Sequence, residues 1–268
     1  MPQRRPVLYY SLMQKDYDTF WNELSHAYPK SKGTLRLPIA TTLQTIDEIY
    51  INKILSDLQE LLEVFLEKFA HVGVATKNAI QANEEWIIPC ITEDFSGVVR
   101  FDCVLTPENT VKILELNTDY PDGLLMHDRT YSVTSNEDCT LHENLYLSYF
   151  KDTAHPVHIA HPTDAFFLDA YHLEKEVLEK HGYTVTIGDI LKAKETKTLR
   201  RCIEVSKMHH AEVPHLLQES DHQLNSFALR TLGYKQLLSE INHPLVPQTM
   251  PCTEETVDTL VGEKDHWL

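Results

Sequence analysis

Two β-rich runs flanking a Pro/Asn turn constrain the fold of this chain more tightly than any other segment. The first reads Val98-Val99-Arg100-Phe101-Asp102-Cys103-Val104-Leu105, the turn Thr106-Pro107-Glu108-Asn109, and the second Thr110-Val111-Lys112-Ile113-Leu114-Glu115-Leu116-Asn117. β-branched and apolar residues around such a turn predict an antiparallel hairpin. Side chains alternate faces along a strand, so Arg100 and Asp102 share one side, as do Glu115 and Asn117. A turn over 106–109 pairs Leu105 with Thr110 and sets Arg100 opposite Glu115. All four polar groups then fall on one face, which leaves Phe101, Cys103, Leu114 and Leu116 for the core.

Two carboxylates and an amide oxygen suit a hard cation such as Mg²⁺, which takes one or two carboxylates and completes its shell with water and substrate phosphates. An arginine beside them grips a phosphate or carboxylate through two parallel N–H bonds. The plainer reading of the same residues is an exposed hairpin with a cross-strand Arg/Glu pair worth a fraction of a kcal/mol. The polar, turn-rich stretch Thr118-Asp119-Tyr120-Pro121-Asp122-Gly123 follows at once and favours a site, because loops leaving a strand end carry function disproportionately.

Further along, Val157-His158-Ile159-Ala160 reads as a strand, and Ala170, Leu173 and Val177, together with Phe166, form the inward stripe of a helix capped by Thr163 and ended by His181-Gly182. Tyr183 to Ile187 is the next strand. Strand, helix and strand together predict a βαβ unit with parallel pairing. Beyond it the pattern predicts a strand over 201–207, a helix over 213–219, a short strand over 226–229 and a helix over 233–241. Before the hairpin, a strand over 7–12, a helix over 16–27, a long helix after Thr41-Thr42-Leu43-Gln44 and a helix over 77–82 are expected. The long helix stripes Leu43, Ile46, Ile54, Leu58, Leu61, Leu62, Phe65 and Phe69 and ends near His71-Val72-Gly73. A loop and helix from Asp122 to about Phe150 are expected to cover the hairpin.

Composition excludes several classes. The 268 residues carry a net charge of −16, which opposes general nucleic-acid binding and favours, weakly, a cationic substrate. No apolar run approaches the length of a membrane span, and no secretory leader is visible at Met1 to Leu12, so a cytoplasmic protein is expected. Five cysteines without a C-x-x-C pair fit reduced thiols. Only 8 glycines are present and none are clustered, so Walker A and dinucleotide fingerprints are absent. There is no G-x-S-x-G elbow. His155, His158 and His161 lack the geometry of a zinc set on a strand, and His209-His210 reads as surface.

The run R-x-D followed by L-E-x-N-x-D-x-P-x-G, here Arg100 to Gly123, resembles the metal-binding signature of circularly permuted ATP-grasp ligases, the family of glutathionylspermidine synthase. The resemblance implies that Asp102, Glu115 and Asn117 hold the Mg²⁺ of MgATP and that Arg100 contacts the transferring phosphate as catalytic and cofactor-binding residue. Gly233-Tyr234-Lys235-Gln236-Leu237-Leu238 followed by Leu245-Val246-Pro247-Gln248-Thr249 is similar to the passage that leads into the first ATP-grasp subdomain. The implied fold is α/β, with an ATP-grasp-type mixed-sheet portion over 1–150, a Rossmann-like pre-ATP-grasp domain over 151–250 and the start of a nucleotide-binding subdomain over 251–268. The implied activity is ATP-dependent amide formation between a small-molecule carboxylate and an amine. The phosphate-binding lysine and Gly-rich loop would then be supplied in cis or in trans, and the chain alone is expected to show no turnover. The alternative is a non-catalytic binding or regulatory module derived from that fold. No nucleic-acid or membrane partner is implied.

Overall fold

The computed structural model describes residues 48–106, 110–119, 121, 123–135, 138–151, 156–161, 168–195, 198–201, 211–214 and 222–249, with Asn22, His26, Thr253, Glu254 and Thr256. The strand expected over 7–12, the Thr41 and Thr163 caps, His155, His209, His210 and the segment after 256 lie outside these residues, as does most of the helix expected over 16–27. In chain order the elements are α1 (Glu48–Phe69), α2 (Val72–Gln81), β1 (Arg100–Leu105), β2 (Val111–Asn117), α3 (Leu124–Ser135), α4 (Leu141–Ser148), β3 (Val157–Ala160), α5 (Leu168–Lys180), β4 (Val185–Gly188), β5 (Thr198–Arg201), β6 (His222–Gln223) and α6 (Phe227–Arg230). The class is mixed α/β with two small sheets. No described helix is long and apolar enough to cross a membrane, and Cys103 and Cys139 form no disulfide.

The chain separates into two compact units, each assembled from distant stretches: 1–53, 96–98 and 120–226 in the first, and 54–95, 99–119 and 227–268 in the second. The first unit is built on a four-stranded parallel sheet in the order β4-β3-β5-β6. β3 lies between β4 and β5, and every residue from Val157 to Ala160 is buried, as a central parallel strand requires. α5 makes the crossover, packing Ala170, Leu173, Val177 and Leu178 inward. It ends at Gly182, whose φ of +89° is the left-handed geometry that a glycine reaches without a Cβ penalty. The predicted βαβ unit is present in this form.

Leu125 of α3, Tyr146 of α4 and Phe150 just after it belong to this same core, so the stretch after Asp122 is part of the parallel-sheet unit. The segment 96–98 is sutured to the first unit by the Ser226 N–H, which donates to the Ser96 carbonyl at 3.2 Å, and by the side chain of Asn225. Asn225 accepts the Val98 N–H at 3.1 Å and donates to the Val98 carbonyl at 2.7 Å. Asn225 has φ +81°, and the chain beyond it enters α6 rather than the short strand expected over 226–229. Buried apolar runs of this length fit either element, and here the turn decides.

The second unit packs α1 and the hairpin around Leu61, Phe65, Phe69, Ile113, Leu116, Leu232 and Leu237. The i, i+4 spacing of Leu61, Phe65 and Phe69 puts them on one helical stripe, the stripe expected from sequence. The expected helix over 233–241 is a 3₁₀ turn from Lys235 to Glu240. β1 and β2 pair antiparallel, but not in the predicted register. Leu105 pairs with Val111, Cys103 with Ile113, and then a bulge shifts the ladder so that Asp102 faces Glu115 and Arg100 faces Asn117. The bulge absorbs Leu114, which is exposed, and brings Ile113 and Leu116 to one buried face although they stand three apart. Cys103 and Leu114, expected in the core, are therefore both on the surface, and Ile113 takes the place assigned to them.

Candidate functional site

The bulge preserves the parity of the four polar residues. Asp102 and Glu115 are direct cross-strand partners, as are Arg100 and Asn117, so all four side chains leave the same face of the hairpin. Arg100 does not reach across to Glu115. It lies along its own strand and donates to both oxygens of Asp102, Nε to Oδ1 at 2.8 Å and Nη2 to Oδ2 at 3.2 Å. This paired donation holds the Asp102 carboxyl below its usual range against the opposing effect of burial, with the Asn117 amide adding to it. Asn117 donates Nδ2 to Glu115 Oε1 at 3.2 Å, which leaves its carbonyl oxygen as the atom able to act as a ligand.

A fifth group completes the face. Lys235 Nζ stands 2.5 Å from Glu115 Oε2. The lysine is in the Gly233-Tyr234-Lys235 passage, more than a hundred residues along the chain, and only its place in that passage marked it in the sequence. Two carboxylates thus meet two cations, and the face is neutral as built. The lysine is mostly exposed, so its pair with Glu115 is readily exchanged for another anion.

The end of β2 is tied to the Arg230 region by several contacts. Thr118 donates to the Arg230 carbonyl at 3.3 Å, and the Arg230 guanidinium lies 3.4 Å from both Asp119 and Glu84 while covering the Tyr234 ring at 4.9 Å. Burial, reinforced by donation to Glu84, pushes the Tyr234 phenol well above its ordinary range. Gly233 sits against this network so closely that a Cβ would come within 2.6 Å of Thr118 Oγ1 and 3.1 Å of the Leu116 carbonyl. Thr118 and Asp119 are therefore held by contacts whose partners lie far away in sequence.

In the first unit a different carboxylate stands out. Asp128 of α3 is buried and accepts from the backbone N–H of His142 at 2.7 Å and of Glu143 at 3.0 Å through Oδ2. Its Oδ1 meets His142 Nδ1 at 2.7 Å and Cys139 Sγ at 3.3 Å. Burial pushes the carboxyl up, but the bonds from His142, Glu143 and Cys139 outweigh it and keep Asp128 low. Asp128 caps α4 from another helix. Thr140, at the capping position with Glu143 three residues on, makes no side-chain cap, and Glu143 turns instead to His181 at 2.9 Å and Lys180 at 3.0 Å. No local signal marked Asp128, because its partners come from the next helix.

His158, weighed for metal binding, is a buried core residue. Its ring nitrogens meet Thr186 Oγ1 at 2.8 Å and the Asp189 carbonyl at 2.9 Å, and burial lowers its pKa. His161 stacks on Tyr171 at 5.6 Å. No protein-family model matches the chain, and a search of curated proteins returns no match.

Proposed function

We propose that the hairpin face binds a magnesium nucleotide, and that the chain is part of an ATP-dependent carboxylate–amine ligase of the circularly permuted ATP-grasp type. The observation that carries this reading is the neutral quintet of Arg100, Asp102, Glu115, Asn117 and Lys235 on one face. A bare divalent cation would have to displace Arg100 and Lys235 from their carboxylates. A nucleotide that arrives with its cation exchanges both pairs at once, the cation for the carboxylates and the phosphates for the guanidinium and ammonium. The donor set fits Mg²⁺: two carboxylates, one of them kept ionised, and an amide oxygen, all on one face of a strand pair. When bound, the ion neutralises charge at the phosphoryl group.

In this reading Asp102, Glu115 and Asn117 supply the ligand oxygens. Arg100 swings from Asp102 to a phosphate oxygen, and Lys235 does the same from Glu115. The Arg230 network holds the exit of β2 so that Glu115 and Asn117 keep their aim. The parallel β4-β3-β5-β6 sheet supports a Rossmann-like pre-ATP-grasp domain in the first unit. The carboxylate and amine substrates would be activated and joined with the phosphate-binding groups that complete an ATP-grasp site.

The test is equilibrium binding of a non-hydrolysable ATP analogue by calorimetry. Binding is expected with Mg²⁺ and is expected to vanish in chelator, and Glu115→Gln and Arg100→Ala should each weaken it by about tenfold or more. Mg²⁺ without nucleotide should leave the melting temperature unchanged. No binding at millimolar nucleotide, or binding indifferent to both substitutions, overturns the reading. Nucleotide binding without ADP release for any carboxylate and amine pair, even after addition of a complementing ATP-grasp half, would select the non-catalytic module over the ligase.

A further inference from the structure

We propose that His127, Asp128 and His142, in the first unit and apart from the hairpin face, form a binding site for a divalent transition-metal ion of the zinc class. One nitrogen or oxygen from each of the three lies within 4.8 Å of those of the other two. His127 Nδ1 stands 3.8 Å and His142 Nδ1 2.7 Å from the same Asp128 Oδ1. Ligand atoms about 2.0–2.1 Å from a tetrahedral ion sit about 3.3 Å from one another, a spacing that these two distances bracket. The two rings meet edge to face at 4.8 Å, so both can turn a nitrogen toward that oxygen. Two imidazoles with one carboxylate favour zinc and its neighbours in the transition series, whereas Mg²⁺ and Ca²⁺ take oxygen sets.

Capping of α4 does not account for this convergence. Both backbone N–H bonds of the cap fall on Oδ2 of Asp128, and a cap needs nothing more. Oδ1 is the oxygen on which His142, His127 and the Cys139 thiol gather, and the Oδ2 bonds hold it in that direction as an outer shell orients a metal-binding carboxylate. Asp128 and Cys139 also line a cavity of about 610 Å³ with Thr140, Glu143 and Lys180. His127 is itself exposed, so solvent reaches the group from that side. The proton balance of the exchange is closed: without an ion His142 donates Nδ1–H to Asp128 Oδ1, and on ion binding that proton passes through water to Nε2, so Nδ1 turns its lone pair to the ion with no net loss of a proton.

Calorimetric titration of the chelator-stripped full chain with Zn²⁺ tests the site, and Co²⁺ absorption reports the coordination geometry. One equivalent should bind, and His127→Ala should weaken it by about tenfold or more, since loss of outer-shell partners alone costs that much. His127 is exposed, so this variant should fold normally, as its circular dichroism will show. His142→Gln should weaken binding likewise, while His71→Ala, a surface histidine of the second unit, should not. Absence of zinc binding at micromolar concentration, or affinity equal to wild type in both His127→Ala and His142→Gln, overturns the proposal.

Discussion

Asp128 in the first unit and Asp102 in the second are both carboxylates held below their ordinary range, yet by different kinds of partner. Asp128 is buried and bonded to two backbone N–H groups of a neighbouring helix, which cannot leave without fraying that helix. Asp102 is half-exposed and bonded to a guanidinium on a flexible stem, just as Glu115 is bonded to a mostly exposed lysine. The same chemical group thus serves as a structural bolt in one place and as an exchangeable contact in the other. What separates them is whether the donor is fixed by the fold or carried on a mobile side chain.

The sharpest way to break that comparison is to remove the bolt. Asp128→Ala should cost about 2–4 kcal/mol, because it orphans two helix N-terminal donors as well as the His142 ring, and urea titration will read it as a lower midpoint. A loss below about 1 kcal/mol would make Asp128 no more structural than Asp102. Next in size is Gly233→Ala in the second unit. The added Cβ meets Thr118 Oγ1 and the Leu116 carbonyl, and overpacking against backbone should cost about 1–3 kcal/mol. The same variant should weaken nucleotide binding, since the exit of β2 must shift.

Acid sharpens the comparison between units. His158 has its pKa lowered by burial from a usual value of 6.5, so the unfolded chain binds the proton first and His158 contributes stability above that pH. The contribution is lost as pH falls from about 6.5 toward the lowered folded value. Asp128, Glu143 and Asp102 are depressed carboxylates, whose contributions remain until the pH drops below the ordinary carboxylate range and through their folded values. Amide exchange should therefore show β3 losing protection as the pH falls below about 6.5 while β2 keeps it. His158→Gln should flatten that dependence, and an unchanged slope would place its cause elsewhere.

The smallest effect is expected at the hairpin face. Asp102→Asn and Glu115→Gln should each change stability by no more than about 0.5 kcal/mol, because their half-exposed pairs are screened by solvent. A thermal melt within a degree or two of wild type, combined with loss of nucleotide binding, is the signature of an exchangeable site. A large loss of stability would instead make the hairpin charges structural.

Local periodicity determined a good part of this molecule. Alternation set the four hairpin residues on one face, the stripe of Leu61, Phe65 and Phe69 placed one side of α1 inward, and strand, helix and glycine stop spelled out the βαβ unit from Val157 to Gly188. These features depend on neighbours within a few residues, and the chain states them directly. Register did not follow, because whether Leu114 is paired or bulged depends on which of its neighbours the core accepts, and Ile113 was the better filling. The site's fifth member, Lys235, reaches Glu115 from more than a hundred residues away, and Asp128 finds the first turn of another helix. Nor did order along the chain foretell the two units, since residues 96–98 are held by Asn225 while residues 99–119 join α1. Contacts of that kind are chosen by packing and by the need of buried polar groups for partners, and tertiary structure alone decides which distant residue answers.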